Sequence, residues 1–225
     1  MYDESYYQNQ LHKSNAKIAW QYGRLLSFAK RKNRSTSRVL DAGCGAGPGL
    51  RYLAAAGYRP FGNDLVEFPL RAARELVPEA RLTRSDLNSG LPFADNSFDV
   101  IILSEVIEHV SQPASVLREC RRALDWEGML VLTTPNLWDI RRRIYPIFGR
   151  VWAGDKDPTH VRLFDPLELR RALESAGFVG VEVRTGFKPL KWISSRRLHV
   201  RLAIPYPPLI GNTLVARGLK AKNAS

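Results

Sequence analysis

Residues 39–50, VLDAGCGAGPGL, decide the reading of this chain. Val39 and Leu40 open a short apolar strand that ends in Asp41, and glycine then recurs at every second position, at Gly43, Gly45, Gly47 and Gly49. A backbone without Cβ atoms turns tightly and lets a ligand come close. Pro48 suits the first turn of a following helix, so the stretch reads as strand, glycine turn, helix. It is not the dinucleotide fingerprint, which needs a glycine three places after the second one of a G-x-G. Pro48 and Leu50 stand at those places. It also lacks the G-x-x-x-x-G-K-[ST] of a phosphate-gripping loop.

The same alternation runs outward in both directions. Helical patterns cover residues 11–32, 50–56, 68–76, 114–124 and 166–175. Strand patterns cover 39–40, 59–64, 80–82, 97–103, 129–133, 179–185 and 213–217. The unbroken apolar runs of 97–103 and 129–133 suit strands buried on both faces. Strands alternating with helices imply an α/β domain with a doubly wound, mostly parallel sheet and helices on both faces. Ligands of such sheets sit beyond the carboxyl ends of the strands. The chain of 225 residues suffices for one such domain. Its expected parts are an N-terminal helical segment (1–37), a core (38–136), a basic aromatic insertion or lid (137–160), and C-terminal strands with a basic tail (161–225).

Composition narrows the setting. Two cysteines, Cys44 and Cys120, form neither a disulfide framework nor a C-x-x-C pair, which fits a reducing cytoplasm. The start, MYDESYYQNQ, lacks the character of a secretory signal, and no apolar run reaches the roughly 18 residues of a spanning helix. The formal net charge is +12 and is unevenly placed. Residues 1–136 hold 17 basic against 15 acidic side chains, and residues 137–225 hold 17 against 7. An acidic partner would therefore meet the second part of the chain.

The D-x-G-x-G-x-G of Asp41, Gly43, Gly45 and Gly47 resembles motif I of the class I S-adenosylmethionine-dependent methyltransferases, whose fold is Rossmann-like. The resemblance implies that the glycines face the methionine part of S-adenosyl-L-methionine and that Asp41 holds its amino group. Asp64, about 20 residues on and ending the second strand, matches the family's ribose-binding acid. A single carboxylate can accept from both hydroxyls of a ribose diol. Asn63 before it departs from the apolar residue common there. Asp86 and Leu87 match the loop that reads adenine. Residues 91–110, LPFADNSFDVIILSEVIEHV, resemble the ubiquinone-biosynthesis-type O-methyltransferases, with Ser104 where the strand passes the cofactor. The run 128–136, GMLVLTTPN, matches the next strand. Asp125, Trp126, Glu127 and Gly128 replace the usual Pro-Gly-Gly and are expected in a surface loop.

A sulfonium methyl is already electrophilic, so the enzyme mainly aligns a nucleophile with it. A hydroxyl nucleophile must also lose its proton, to a base or with help from a metal. Glu105, Glu108 and His109 stand in an E-x-x-E-H. The resemblance implies a divalent metal such as Mg²⁺ there, with His160 as a possible later ligand. A general base at His109 or His160 is the alternative. A third possibility is that Glu108 and His109 only cap the next helix.

Residues 137–152, LWDIRRRIYPIFGRVW, interleave large apolar residues with four arginines, and 188–209 repeats the theme. Such composition suits contact with an anionic bilayer surface, hence peripheral attachment of a cytoplasmic protein and a small-molecule or lipid-linked acceptor. It suits equally a lid packed on the core with solvated arginines. Tyr145, Phe148 and Trp152 among the arginines also offer stacking surfaces for RNA, which ranks lower because no RNA-binding module is recognisable. The functional expectation is methyl transfer to a hydroxyl of a small aromatic, quinone-like, glycan or lipid-linked acceptor. The alternatives are an RNA methyltransferase and a non-catalytic cofactor-binding scaffold.

Overall fold

The computed structural model describes residues 15–29, 37–186 and 211–222. Seven strands form one sheet: β1 (Arg38–Ala42), β2 (Arg59–Asp64), β3 (Arg81–Arg84), β4 (Phe98–Ser104), β5 (Leu124–Pro135), β6 (Val179–Gly186) and β7 (Thr213–Leu219). Their spatial order is β3-β2-β1-β4-β5-β7-β6. The first five run parallel, and β7 inserts antiparallel between β5 and β6. The expected doubly wound, mostly parallel sheet is thus observed. The chain order reverses between β1 and β4, which creates a crevice at their carboxyl ends.

The strands are apolar on both sides because both faces are covered. Phe98, Ile101 and Leu103 of β4 point into one core layer, with α4 (Pro113–Ala123) and α7 (Pro166–Ser175) above it. Val100 and Ile102 point into the other, with α1 (Asn15–Ala29), α2 (Pro48–Ala55) and α3 (Glu67–Leu76). From Val100 to Leu103 the faces alternate with period 2, as a central strand buried on both sides requires, and Phe98 joins the layer of Ile101 because the register shifts between Phe98 and Val100.

Several element ends differ from the sequence reading. Helix α2 begins at Pro48 rather than 50, because the missing N–H of proline costs nothing in a first helical turn. The described part of the first helix is Asn15–Ala29; the remainder of the expected 11–32 and the basic stretch 188–209 lie outside the described residues. The expected surface loop at Asp125–Gly128 is instead the opening of β5. Its irregularity is absorbed by Glu127, at φ +59°, while Glu127 and Gly128 exchange backbone hydrogen bonds with Lys220 at the end of β7. Asp125 pairs with Arg38 of β1 at 3.1 Å.

Candidate active site

The carboxyl edge of the sheet collects the residues that the sequence singled out. Asp41 is next to last in β1, Asp64 ends β2, Asp86 follows β3, and Ser104 ends β4. The glycine turn owes its shape to sterics. Gly43 and Gly47 have φ +85° and +83°, the left-handed region that side chains disfavour. A Cβ on Gly43 would lie 2.5 Å from Val106, and one on Gly47 2.9 Å from Ala73. The turn is tied to β2 through the Asn63 carbonyl, which accepts from Gly43 N (2.7 Å) and Cys44 N (3.0 Å). The buried Asn63 amide reaches across to Ser85 Oγ at 2.6 Å, which explains a polar residue where the family tolerates an apolar one.

Asp64 is anchored by backbone donors: Gly45 N to Oδ2 at 2.8 Å and Val66 N to Oδ1 at 3.0 Å. Burial raises its pKa, opposed by these bonds. Asp86 caps a short 3-10 turn at Leu87–Ser89, accepting from Asn88 N at 2.9 Å, so it has a structural task whatever ligand it meets. Leu87 is buried beneath it.

Asp41 is the most unusual of these acids. It is fully buried, and its Oδ2 accepts from the Tyr22 hydroxyl of α1 at 2.8 Å. Its Oδ1 has no hydrogen-bond partner among the described residues. Burial pushes its pKa up to about 7, Tyr22 pulls it down, and the neighbouring Asp64 charge raises it further. A buried carboxylate oxygen without a partner fits a cationic ammonium group of a ligand, because such an oxygen is otherwise costly. Beside it, Gln21 Nε2 donates to Ser104 Oγ at 2.5 Å. Helix α1 therefore reaches the carboxyl ends of both β1 and β4. The sequence reading saw only an amphipathic helix here, and missed Gln21 and Tyr22.

Beyond β4 the chain passes through Glu105, which has a left-handed backbone at φ +58°, and then a turn closed by His109 N donating to Val106 O at 2.9 Å. The buried Glu108 holds Oε1 3.9 Å from His109 Nε2. The chain returns to this point 50 residues later. His109 Nδ1 lies 3.1 Å from Thr159 O and 3.0 Å from Thr159 Oγ1. His160 Nδ1 lies 2.6 Å from Gly154 O, and the two imidazole centroids are 4.8 Å apart. A ring nitrogen on a carbonyl must carry the proton, so both histidines can hold Nε2 unprotonated. Burial, the largest influence, lowers the pKa of His109.

Glu108, His109 and His160 bring one ligand atom each to within 4.8 Å of one another. Glu105 does not join this compact group. Three donors sharing one ion at about 2.1 Å lie roughly 3.6 Å apart when evenly spread, so the set would contract by about 1 Å to close around a divalent cation. The N-cap of α4 is Gln112, without a side-chain cap bond.

Comparison with known proteins agrees with this architecture. A family model described as a methyltransferase domain matches residues 10–183. A probable S-adenosylmethionine-dependent methyltransferase of Mycobacterium tuberculosis is 36% identical over 149 residues, covering 66% of this chain and 51% of the relative. The chain thus spans about half the length of the mycobacterial relatives it matches. A ubiquinone biosynthesis O-methyltransferase of Cereibacter sphaeroides is 31% identical over 175 residues, 72% of this chain and 70% of the relative. Among solved structures, an S-adenosylmethionine-dependent methyltransferase of Archaeoglobus fulgidus superposes with a TM-score of 0.70 at 20% identity, covering 97% of this chain and 100% of that one. That likeness speaks to the fold alone. With the match to the family model spanning most of its length, this chain belongs to the class I S-adenosylmethionine-dependent methyltransferases.

Proposed function

We propose that this chain transfers the methyl group of S-adenosylmethionine to a hydroxyl of a small aromatic, quinone-like, glycan or lipid-linked acceptor. On this reading Asp41 Oδ1 receives the cofactor's ammonium group, Asp64 its ribose hydroxyls, and Asp86 with Leu87 its adenine. Gly43, Gly45 and Gly47 keep the backbone clear for the methionine part, next to Ser104. The acceptor oxygen attacks the methyl carbon in line with the sulfur. The C–O bond forms as the C–S bond breaks, S-adenosylhomocysteine leaves, and the hydroxyl proton passes to Nε2 of His109 or His160.

One observation carries the hydroxyl assignment: two imidazoles, 4.8 Å apart, each with Nδ1 on a backbone carbonyl. An amine nucleophile in its neutral form needs no such base before attack, whereas a hydroxyl does. The name of the ubiquinone biosynthesis relative, an O-methyltransferase, supports the same choice.

A second reading rests on the compact group of Glu108, His109 and His160. Two imidazoles and one carboxylate fit a divalent cation such as Mn²⁺ or Zn²⁺ better than Mg²⁺, which favours oxygen donors, and one imidazole would then serve as ligand rather than base. When bound, such an ion supplies a Lewis acid that lowers the pKa of a coordinated hydroxyl.

The test is transfer of labelled methyl to a panel of catechols, quinols, glycosides, amines and RNA, with and without EDTA followed by Mg²⁺, Mn²⁺ or Zn²⁺. Transfer to a hydroxyl compound that survives EDTA supports the histidine base. Loss with EDTA and recovery with one of these cations supports the cation. Transfer confined to amines overturns the hydroxyl assignment, transfer confined to RNA overturns the small acceptor, and cofactor binding without any turnover points to a scaffold.

A further inference from the structure

After β5 the chain leaves the sheet at Asn136 and comes back against the turn that follows β4 at His160 and Val161, and the intervening segment is built in two unequal parts. Its base is clamped. The buried Asp139 accepts from the indole N–H of Trp152 at 2.6 Å and from Arg141 Nη2 at 2.6 Å, and it caps α5 (Ile140–Ile144) through Arg141 N at 3.0 Å. Trp152 is only 3% exposed. Of the three aromatic residues that the sequence offered for base stacking, Trp152 is thus enclosed and Tyr145 half-buried.

The tip is the reverse of the base. Ile147 is 77% exposed, Phe148 72%, Val151 54% and Ile144 41%. Residues 140–152 contain four arginines and no acid. Arg141 is spent on Asp139, and Arg142 pairs with Asp155 at 3.2 Å. Arg143 and Arg150 have no acidic partner among the described residues.

We propose that this tip docks on an anionic lipid bilayer, with Ile147, Phe148 and Val151 entering the interface and Arg143 and Arg150 meeting the headgroups. Large exposed apolar side chains at the end of a clamped loop lose nothing by leaving water and gain about 0.8 kcal/mol per buried methylene. Cations on either side of them match a negative surface and stay hydrated as the apolar residues insert. Three or four side chains are too few for a stable protein interface, which needs on the order of 1,000 Å². They suffice for reversible attachment when electrostatic attraction is added. The proposal stands apart from the identity of the acceptor and from the roles of the histidines.

Co-sedimentation with two kinds of vesicle tests it: phosphatidylcholine alone, and phosphatidylcholine with phosphatidylglycerol as roughly one third of the lipid. The wild type is expected to partition onto the anionic vesicles and to be released by high salt. Arg143→Ser and Arg150→Ser should each weaken partition by about fivefold. The double variant Ile147→Ser, Phe148→Ser should weaken it by at least about tenfold. All variants should keep the wild-type melting temperature and cofactor affinity, which separates lost docking from lost folding. Absence of partition overturns the proposal, as does equal partition onto neutral vesicles or an unchanged double variant. If the double variant instead alters oligomeric state or RNA binding while vesicle partition stays the same, the tip serves another partner and the proposal fails.

Discussion

Affinity for the cofactor should depend on pH through Asp41, and Tyr22 should set the midpoint. The carboxyl is fully buried with a pKa of about 7, and only its ionised form offers a charge to the ligand's ammonium group. The apparent Kd is the intrinsic Kd divided by the competent fraction. With a midpoint near 7 that fraction is about one tenth at pH 6 and about three quarters at pH 7.5, so affinity should rise about eightfold across this interval. Tyr22→Phe deletes the hydrogen bond that favours the carboxylate. A bond to a charged group is worth about 1.5–3 kcal/mol, enough to raise the midpoint by about one unit or more. For a one-unit rise the variant should bind about ninefold more weakly than wild type at pH 6 but only about threefold more weakly at pH 7.5. Calorimetric titration with S-adenosylhomocysteine, which carries the same amino group, measures all four constants. A merely structural role for Tyr22 predicts a loss that is equal at both pH values. That result, or a flat wild-type profile, would refute the reasoning.

Asp41→Asn should abolish most cofactor binding yet stabilise the unliganded protein at pH 8, by about 1–3 kcal/mol in thermal melts. The folded pKa lies above the unfolded value of 3.8, so the folded state binds the proton more tightly, and the acid costs stability increasingly as pH rises from 3.8 to about 7. The stabilisation should therefore vanish near pH 4. Gly49→Ala would set a Cβ 2.1–2.5 Å from the Tyr22 ring. It should cost about 1–3 kcal/mol of stability and reproduce the pH-dependent binding defect of Tyr22→Phe, read from the same titrations. Once an acceptor is found, His109→Ala or His160→Ala should lower kcat by about 10²- to 10⁴-fold while cofactor Kd stays within about twofold. Equal losses in Kd would point to a structural role instead.

Much of this protein is determined locally. The glycine turn, the acids at Asp41 and Asp64, and the turn at Asp86 each lie within a few residues of a strand end. Hydrophobic periodicity together with turn chemistry therefore places them without knowledge of neighbours. The strand count and the two-sided burial of β4 follow from the same local pattern. What the sequence could not hold is which distant segments meet. The insertion of β7 between β5 and β6 is decided by pairing across the sheet. The opening of β5 at Leu124 depends on Lys220 of the last segment, nearly 100 residues away. Tyr22 and Gln21 sit on an ordinary amphipathic helix, and only its packing on α2 and the sheet brings them to Asp41 and Ser104. The group of Glu108, His109 and His160 likewise exists only because the clamped segment folds back on the turn after β4. Local rules govern the backbone of each element. The electrostatics of the site, above all a carboxyl poised near pH 7, arise from burial and from partners distant in sequence, so they belong to the tertiary structure alone.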